Sequence, residues 1–379
     1  MTFTDADRRF MIRAFELAAR GFYSTRPNPR VGCVLVADDE VIAEGWTAPA
    51  GGLHAEAKAL QVAGERARGA TAYCTLEPCA HFGRTPPCAD ALVAAGVARV
   101  VVAAGDPFEK VAGEGFRRLR AAGIEVAHGL MEAEARTLNV GFHARIERGR
   151  PWLRLKLAAS LDGRTAMANG ESRWITGEAA RRDVHRLRAR SCAVVTGVGT
   201  VLVDDPQLTA RRDMLDDLDP FDLDFLEHSP AYRVVLDPSL KTPADARVLK
   251  GPGALLMTAQ DGAPEHQARF SDETRIESLP AAGGRIDLQA LQARLAALEC
   301  NEVLLECGPT LAADALAQGL VDELWLYQAP HLMGSAARPL VDLPLQRMAE
   351  RLHFRLEDVT RLGDDLRLVL IPANPGAAG

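Results

Sequence analysis

The chain has 379 residues, of which 47% are hydrophobic and 25% are charged, and its formal net charge is −7 at pH 7. These values are typical of a globular protein that is long enough to form two domains. An acidic chain argues against binding to nucleic acid, which normally requires a basic face, and no apolar run approaches the roughly 20 residues of a membrane span. The N-terminus lacks a signal-peptide core, and seven cysteines in so long a chain point to a reducing compartment, so we expect a cytoplasmic protein.

The first 148 residues show alternating helical and strand patterns. Apolar residues at helical spacing predict a helix over 5–20, and two apolar runs on either side of Asp38-Asp39-Glu40 predict a β-hairpin over 32–36 and 41–46. Another helix opens at His54. Beyond it, the patterns predict strands at 71–76, 99–104 and 124–127 and helices at 88–95, 113–122 and 132–148. This order predicts a sheet with helices on both faces.

A domain boundary is predicted at Gly149-Arg150-Pro151, because a second alternating pattern begins at Trp152. Two alternating runs about Gly363-Asp364-Asp365 predict an antiparallel hairpin within 352–371. The acidic residues between Arg211 and Pro230 predict a solvated loop. The remaining expected elements are strands at 152–158, 192–196, 232–236, 253–257, 302–306 and 322–328, a loop through Gly170, and helices at 178–189, 287–298 and 309–318.

Four residues of the first half form a pattern suited to a catalytic zinc ion. His54, Cys79 and Cys88 offer the imidazole and thiolate ligands that zinc prefers, and a catalytic site keeps a fourth position for water, whose pKa zinc lowers to about 7. Glu56 stays free to move protons, as in zinc deaminases with an H-x-E…P-C-x-x-C signature. The pattern departs from that signature because eight residues, rather than two, separate the cysteines.

Two other interpretations of these residues stay open at this point. One is that Cys79 and Cys88 are ordinary buried cysteines. The other is a structural zinc site with His81 as a fourth ligand. The joint pattern is more specific than the H-x-E pair alone, so we favour the catalytic site. A metal held between the start of one helix and the end of the next strand is compatible with this short spacing.

The second half carries four segments of less specific chemistry, at 156–164, 172–176, 204–209 and 306–310. Gly308-Pro309-Thr310 lies where a strand is predicted to turn into a helix, and the unpaired N–H groups of a helix start bind anions such as a nucleotide phosphate. Glycine and proline also form such turns without any ligand, and the residues alone do not decide between the two. The dinucleotide pattern G-x-G-x-x-G is missing, because Gly197-Val198-Gly199 lacks the third glycine.

Both halves resemble the bifunctional deaminase/reductase family of riboflavin biosynthesis. The deaminase half is similar in Asn28-Pro29-Arg30-Val31-Gly32, in His54-Ala55-Glu56 and in the run from Thr75 to Cys88, whose longer loop between the cysteines separates this family from cytidine and tRNA-adenosine deaminases. The four segments of the second half resemble the reductase half. The resemblance covers about residues 5–373. It implies an N-terminal cytidine-deaminase-like three-layer α/β/α domain and a C-terminal dihydrofolate-reductase-like α/β domain.

The resemblance also implies roles for individual residues. His54, Cys79 and Cys88 would bind zinc, Glu56 would be the proton shuttle, and Asn28 would contact the pyrimidine. The implied NADPH contacts are Ala158, Trp174, Thr200, Asp204 and the turn Gly308, Pro309, Thr310, Leu311, Ala312, Ala313 and Asp314. The implied contacts of a phosphoribosyl substrate are Ser172, Arg188, Leu208, Arg211 and Glu306.

Physical chemistry supports several of these roles and leaves alternatives to them. Arg188 and Arg211 can hold a ribose 5-phosphate through charge-assisted, bidentate contacts, or can be a solvated helix charge and a loop charge. Lys156 interrupts an apolar strand, so we expect it to face the substrate or else to pair with Asp162 or Asp205. Trp174 is expected either to stack on the cofactor or to pack in the core.

We therefore predict a two-domain enzyme of riboflavin synthesis. Residues 1–148 would deaminate 2,5-diamino-6-(5-phosphoribosylamino)pyrimidin-4-one with zinc, and residues 149–379 would reduce the ribosyl chain to ribityl with NADPH. We expect a homo-oligomer of two or four copies and neither nucleic acid nor membrane as a partner. The competing hypotheses are a nucleoside or tRNA deaminase with an unrelated second domain, a non-catalytic zinc-stabilised binding protein, and a chain that keeps only one activity.

Overall fold

A computed structural model describes residues 3–80, 86–108, 112–260 and 264–373 of the chain. The chain divides into two compact units, Met1–Gly149 and Arg150–Gly379. Each unit is built around its own main β-sheet and has its own hydrophobic core. None of the described helices combines the length and the apolar character that a membrane span requires.

The first unit contains a five-stranded sheet with the order β2-β1-β3-β4-β5. Strand β1 runs antiparallel to β2 and β3, whereas β3, β4 and β5 are parallel to one another. The strands are β1 (Gly32–Ala37), β2 (Glu40–Trp46), β3 (Thr71–Leu76), β4 (Arg99–Ala104) and β5 (Glu125–His128). The helices are α1 (Asp5–Ala19), α2 (Ala55–Ala63), α3 (Cys88–Ala95), α4 (Glu114–Ala121), α5 (Glu132–Leu138) and α6 (Val140–Arg148).

Two glycines show how closely helices cover the two faces of this sheet. A Cβ atom on Gly32 would lie 1.9 Å from the carbonyl oxygen of Ala14 in α1, and one on Gly45 would lie 2.1 Å from that of Ala55 in α2. Gly45 pairs with Cys33, the neighbour of Gly32, and successive residues of a strand point to opposite faces. Helices α1 and α2 therefore pack on opposite faces, which confirms the expected three layers.

The predicted single helix over 132–148 is wrong, because the chain breaks at Asn139 into α5 and α6. The side chain of Asn139 is buried and pairs with the backbone of Arg30: its Oδ1 accepts from the Arg30 N–H at 2.8 Å and its Nδ2 donates to the Arg30 carbonyl at 2.8 Å. Its own backbone departs from the helix, with φ −114° and ψ 30°. A contact with a residue far away in the sequence interrupts a helix that local periodicity alone predicted.

The second unit contains a nine-stranded sheet with the order β11-β10-β9-β8-β14-β6-β15-β18-β17. The seven strands from β11 to β15 in this order are parallel, and β18 is antiparallel to both of its neighbours. The strands are β6 (Trp152–Ser160), β7 (Arg164–Ala166), β8 (Ala193–Gly197), β9 (Tyr232–Leu236), β10 (Ala254–Thr258), β11 (Arg275–Ser278), β12 (Ala281–Ala282), β13 (Arg285–Ile286), β14 (Glu302–Glu306), β15 (Glu323–Ala329), β16 (Arg338–Pro339), β17 (Phe354–Leu362) and β18 (Asp365–Pro372). The helices are α7 (Glu178–Arg190), α8 (Val198–Asp204), α9 (Pro220–His228), α10 (Pro264–Gln267), α11 (Leu288–Ala297) and α12 (Pro309–Ala317).

The predicted C-terminal hairpin is confirmed as β17 and β18, which pair in antiparallel register about Gly363. The solvated loop predicted for the acidic stretch is wrong in part, because Pro220–His228 forms α9. Asp219 caps this helix by accepting from the N–H of Phe221, and proline occupies the first turn. Acidic residues before α9 pair with arginines of α7, as in Arg186 to Asp217 at 2.7 Å. The many acidic residues of this stretch suggested a loop, although Asp219 and Pro220 are typical of the start of a helix.

Candidate active sites

The proposed zinc ligands come from one edge of the first sheet. Because β1 is antiparallel to β2 and β3, its first residue lies beside the last residues of both neighbours. His54 is the residue before α2, Cys79 follows β3, and Cys88 is the first residue of α3. The sequence therefore brings all three ligands to chain segments that begin or end at this edge.

The three side chains are close enough to share one metal ion. His54 Nδ1 lies 3.6 Å from Cys79 Sγ and 3.3 Å from Cys88 Sγ, and the three ligand atoms lie within 4.8 Å of one another. The backbone N–H of Cys88 donates to Cys79 Sγ at 3.3 Å. One imidazole and two thiols at this separation fit zinc, which leaves a fourth coordination position. His81, the alternative fourth ligand, lies outside the described residues.

The electrostatics of this cluster suit metal binding and proton transfer. Hydrogen bonds from the Cys88 thiol, from His54 and from the Cys88 N–H hold the pKa of Cys79 below its ordinary value, which favours the thiolate that zinc requires. Burial, with a smaller effect of Cys79, raises the pKa of Glu56 to about 7. Glu56 is 4% exposed and lies beside Cys88. A carboxyl with this pKa both takes up and releases protons near neutral pH.

The segment that carries Asn28 is fixed at the same edge by side chains that sequence reasoning missed. Besides the two hydrogen bonds of Asn139 to Arg30, Thr47 accepts from the N–H of Val31 at 3.1 Å, and Thr75 accepts from that of Gly32 at 3.1 Å. Asn28 itself is half-buried. The start of β1 and the loop before it are thus held by three separate parts of the chain, and Asn139 gives no local signal of this contact.

Glu77 is a second supporting residue that the sequence did not single out, although it belongs to the run from Thr75 to Cys88. Its buried carboxylate accepts from the backbone N–H groups of Asp106, Gly113 and Phe116 at 3.1–3.3 Å. Two of these donors lie at the start of α4. Glu77 therefore ties the segment two residues before Cys79 to the first turn of α4.

In the second unit, the carboxyl ends of parallel strands bring charged residues together. Lys156 of β6 and Glu306 of β14 are register partners, and Arg188 of α7 forms a double ion pair with Glu306 at 2.6 and 2.9 Å. Burial disfavours the ionised form of Glu306, but Arg188 and Lys156 outweigh it and lower its pKa. Burial also lowers the pKa of Lys156.

The structure does not support the alternative ion pairs of Lys156. Asp162 accepts hydrogen bonds from Ser160 and from the backbone of 333–334, and Asp205 accepts from the N–H of Arg247. The charged groups that act on Lys156 are instead Glu306 and Arg188. Lys156 therefore belongs to the same cluster of charged groups as Arg188 and Glu306.

The segment Leu208–Arg211 is hydrogen-bonded to α7 beside this cluster. Arg188 Nη1 donates to the carbonyl of Thr209 at 3.2 Å, and the N–H of Arg211 donates to His185 Nδ1 at 3.1 Å. Leu208 is 4% exposed and has a positive φ of 57°, which is uncommon for a side chain of this kind. The structure thus gathers Lys156, Arg188, Leu208, Arg211 and Glu306, and adds His185, which sequence reasoning missed.

The start of α12 lies next to β8 and α8. Gly308 precedes α12, and no side chain caps that helix end. A Cβ atom on Gly308 would lie 3.9 Å from Thr200 Oγ1, and one on Gly197 would lie 3.4 Å from the side chain of Leu311. N–H groups that no side chain caps, at the start of a helix, suit the phosphates of a nucleotide. Ala312 contributes no side-chain contact here, because it is 0% exposed and its N–H donates to the Gly308 carbonyl.

The other implied cofactor and substrate residues lie around the ends of β6 and α8. Trp174 is 67% exposed, so the alternative of core packing is wrong, and the guanidinium of Arg181 lies 4.6 Å from the centre of its ring. Arg173 Nη2 donates to the carbonyl of Asp204 at 2.8 Å. Ala158 pairs with Tyr327 in the sheet. Ser172 is half-buried in the same 171–176 segment as Trp174.

The three-layer fold with an imidazole, two thiols and a buried carboxyl defines the class of zinc-dependent deaminases, here joined to a parallel α/β unit. The cytidine and deoxycytidylate deaminase zinc-binding region matches residues 4–104, and the RibD C-terminal domain matches residues 151–368. The riboflavin biosynthesis protein RibD of Escherichia coli strain K12 is 47% identical over 368 residues, which cover 97% of this chain and 100% of that protein. The chain belongs to the RibD family of riboflavin biosynthesis.

Solved structures of this family agree with the fold. Form 1 of Acinetobacter baumannii RibD superposes with a TM-score of 0.90 at 46% identity and covers 97% of this chain and 99% of its own. A diaminohydroxyphosphoribosylaminopyrimidine deaminase/5-amino-6-(5-phosphoribosylamino)uracil reductase from Thermotoga maritima superposes with a TM-score of 0.83 at 31% identity, with the same coverage of 97% and 99%. The predicted fold, the deaminase and reductase activities in riboflavin biosynthesis, and the cofactors zinc and NADPH are confirmed.

Proposed function

We propose that the deaminase centre lies within Met1–Gly149 and the reductase centre within Arg150–Gly379. The division of the structure after Gly149 supports this assignment. The two matched family regions fall on either side of that division. Each unit also has its own set of chemical groups: the zinc cluster of His54, Glu56, Cys79 and Cys88 in the first, and the substrate pocket of Lys156, His185, Arg188, Arg211 and Glu306 in the second.

The first unit deaminates 2,5-diamino-6-(5-phosphoribosylamino)pyrimidin-4-one, the type of substrate that the name of the Thermotoga maritima relative describes. His54, Cys79 and Cys88 hold zinc, which supplies an activated water when it is bound. Asn28, on the loop fixed by Asn139, contacts the pyrimidine. The observation that carries this assignment is the buried carboxyl of Glu56 beside three side chains that fit one metal ion.

Glu56 is the proton shuttle of this reaction. Its pKa, which burial raises to about 7, suits a carboxyl that accepts a proton from the attacking water and passes it to the ring nitrogen. It then takes the remaining proton of the newly added hydroxyl and gives it to the departing amino group, which leaves as ammonia. Burial keeps bulk water away from the carboxyl, so the proton passes between Glu56 and the reacting atoms. The three other members of the cluster hold the metal and leave Glu56 unligated.

The second unit reduces the ribosyl chain of the deaminated product. NADPH supplies the hydride when it is bound, and the start of α12 holds its phosphates through the N–H groups of Gly308, Thr310 and Leu311, while Pro309, which has no N–H, forms the first turn. Lys156 and Glu306 orient the opened sugar, and Arg188 and Arg211 bind the 5-phosphate through charge-assisted contacts. The flanking contacts are Ala158, Trp174, Thr200, Asp204, Ala313 and Asp314 for the cofactor and Ser172 and Leu208 for the substrate.

We also propose a cytoplasmic location and a homo-oligomer. The location is supported by the free state of all seven cysteines. The oligomer is supported by the edge strand β17, on which Leu356 is 53% and Val359 is 51% exposed. Light scattering on the purified chain tests the oligomer, and a monomeric mass at working concentration contradicts it.

A pair of assays on one preparation tests the proposed substrates. Ammonia release is measured with the diaminopyrimidine substrate and with cytidine, and NADPH oxidation is measured with the deaminated phosphoribosyl product. We expect ammonia release from the first substrate alone and NADPH oxidation that depends on the deaminated product. Ammonia release from cytidine at a comparable rate would favour the nucleoside deaminase, and a zinc-bound protein inactive in both assays would favour the binding protein.

A further inference from the structure

His185 is a buried residue to which none of the proposed roles has been given. It lies three residues before Arg188, on the same side of α7, and is 3% exposed. Both of its ring nitrogens face Arg211. Nδ1 lies 3.1 Å from the backbone nitrogen of Arg211, and Nε2 lies 3.3 Å from Nε and 3.1 Å from Nη2 of its guanidinium.

These contacts cannot all be hydrogen bonds at once. A neutral imidazole has one N–H donor and one acceptor nitrogen, whereas the backbone N–H and the guanidinium of Arg211 are donors only. If Nδ1 accepts from the backbone, Nε2 carries hydrogen and points it at the guanidinium. In the other tautomer the conflict moves to the backbone N–H. One donor therefore faces another donor in either tautomer.

The neighbouring charges do not remove this conflict. Burial, with Arg188 and Arg211, lowers the pKa of His185 to about 4, so the ring is neutral near pH 7. Glu306 is already engaged by Arg188 in the double ion pair. Asp213 also acts on the ring, through its charge. The groups that face His185 thus include the guanidiniums of Arg188 and Arg211, and the carboxylate of Glu306 is already bound to Arg188.

We propose that His185 is a third ligand of the substrate phosphate, beside Arg188 and Arg211. This inference rests on the proposed reductase function. A phosphate oxygen placed between Nε2 and the guanidinium accepts from both and turns the donor conflict into two hydrogen bonds. Nδ1 meanwhile keeps its bond to the Arg211 backbone and so holds the segment in place.

The surroundings of Arg211 give the anion a way in. Arg211 and Arg212 line a cavity at the surface together with two acidic residues, Asp213 and Asp216, and the side chain of Arg211 is exposed. The guanidinium can therefore move onto an incoming phosphate without disturbing the core. His185 lies behind this guanidinium, with Nε2 3.1 Å from Nη2 of Arg211, so the movement exposes its Nε2–H to the anion. Because the ring is neutral, it adds a hydrogen bond to the phosphate without a third positive charge.

Two variants of His185 separate this role from a merely structural one. His185→Gln keeps a carbonyl oxygen that can accept from the Arg211 N–H and an amide group that can donate to phosphate, whereas His185→Ala removes both. The assay is NADPH oxidation with the deaminated intermediate and with its dephosphorylated counterpart. We expect His185→Ala to raise KM for the phosphorylated compound about 10-fold, the effect of one charge-assisted hydrogen bond, and to leave KM for the dephosphorylated compound unchanged. His185→Gln should stay within about threefold of the parent.

The controls use the same chain. His228→Ala changes a histidine that is 73% exposed and contacts Asp224, and it should leave both KM values unchanged. Ammonia release should be the same in all three variants. A second readout is the ¹⁵N NMR spectrum of histidine-labelled parent protein. It should show hydrogen on Nε2 of His185, and added inorganic phosphate should shift the Nε2 resonance more than that of Nδ1.

The outcomes distinguish this inference from the function on which it rests. Equal losses with both compounds in His185→Ala, failure of His185→Gln to restore KM, or an Nε2 resonance that ignores phosphate would each overturn the role of His185 alone. A parent enzyme that uses the two compounds equally well would overturn the phosphate site itself, and the role of His185 with it.

Discussion

The zinc cluster and the substrate pocket are assembled in opposite ways. All four members of the zinc cluster fall between residues 54 and 88 and lie at or next to helix starts or just after a strand. The substrate pocket takes its members from β6, from α7, from the loop after α8 and from β14, and Arg188 and Glu306 are 118 positions apart. The zinc cluster thus comes from one short segment of the sequence, whereas the substrate pocket is assembled by the order of the strands in a parallel sheet.

The two sites also differ in how their charges are balanced. The zinc cluster contains a thiol, Cys79, whose pKa is lowered by hydrogen bonds from Cys88 and His54, and a buried carboxyl, Glu56, whose pKa burial raises to about 7. In the substrate pocket, Arg188 forms an ion pair with Glu306, whereas Arg211 contacts His185, whose ring is neutral near pH 7. Replacing a residue of the zinc cluster should therefore abolish metal binding or proton transfer. Replacing one residue of the substrate pocket should only weaken substrate binding.

The largest effect is expected for Cys88→Ser. Serine does not replace a thiolate as a zinc ligand, so the variant should lose near-stoichiometric zinc and its ammonia release should fall to background. Metal analysis and both activity assays check this. NADPH oxidation should be unchanged. Cys300→Ser, a buried cysteine of the other unit, is the matched control and should keep its zinc. Full zinc occupancy in Cys88→Ser would remove Cys88 from the cluster.

Glu56→Gln should lower ammonia release by ~10² to 10⁴ while zinc stays bound, because it removes a positioned acid and base without removing a ligand. The measurement is the rate of ammonia release together with zinc content. Glu65→Gln, at the end of the same helical region, is the control and should keep the parental rate. If zinc leaves together with the activity, Glu56 supports the metal site and is not the proton shuttle.

Arg211→Ala should weaken use of the phosphorylated intermediate about 10- to 150-fold, the equivalent of roughly 1.5–3 kcal/mol for a charge-assisted hydrogen bond. Steady-state NADPH oxidation measures it, and ammonia release should be nearly unchanged. Arg275→Ala is the matched control, because Arg275 is exposed, pairs with Glu277 and lies on β11, outside the cavity that Arg211 lines. If Arg211→Ala and Glu56→Gln each depress both assays equally, the two units do not work as separate sites.

The smallest effect is expected for Asn139→Ala, which frees the backbone of Arg30 and loosens the loop that carries Asn28. KM for deamination should rise about 5- to 10-fold, the equivalent of about 1–1.4 kcal/mol, with zinc content and NADPH oxidation unchanged. Thr137→Ala, an exposed position on α5, is the control. Asn139→Asp should be no better than alanine, because its second oxygen would face the Arg30 carbonyl. An unchanged KM in both variants would separate Asn139 from substrate binding.

The sequence predicted most elements and the zinc cluster, since both depend on local spacing. The helices at 88–95 and 309–318 and the hairpin over 32–46 recur in the structure within one or two residues. The zinc cluster was predicted because metal ligands must be of few types and these lie close together in the chain. The alternative interpretation, in which Cys79 and Cys88 are ordinary buried cysteines, does not account for the short distances between their sulfur atoms and His54.

The residues that escaped prediction act through contacts over long sequence distances. Asn139 is hydrogen-bonded to Arg30, which is 109 positions away in the sequence. Glu77 accepts from backbone N–H groups, and because every residue except proline has such a group, the sequence does not indicate which ones it contacts. The sequence around His185 is that of an arginine-rich helix and gives no sign of its contact with Arg211. The substrate pocket was anticipated through resemblance to a family, because no spacing rule connects residue 156 with residue 306.

The hydrogen bonds that join Cys79 to the start of α3 bear on how long the segment between the two cysteines can be. The N–H of Cys88 reaches the sulfur of Cys79, and the N–H of Ala89 reaches the carbonyl of Cys79 at 3.1 Å. The two ends of the segment are therefore fastened to each other by their own backbone. The number of residues inserted between them is free to vary without moving either sulfur, so a metal site of one geometry accommodates a connection of two residues in some deaminases and of eight here.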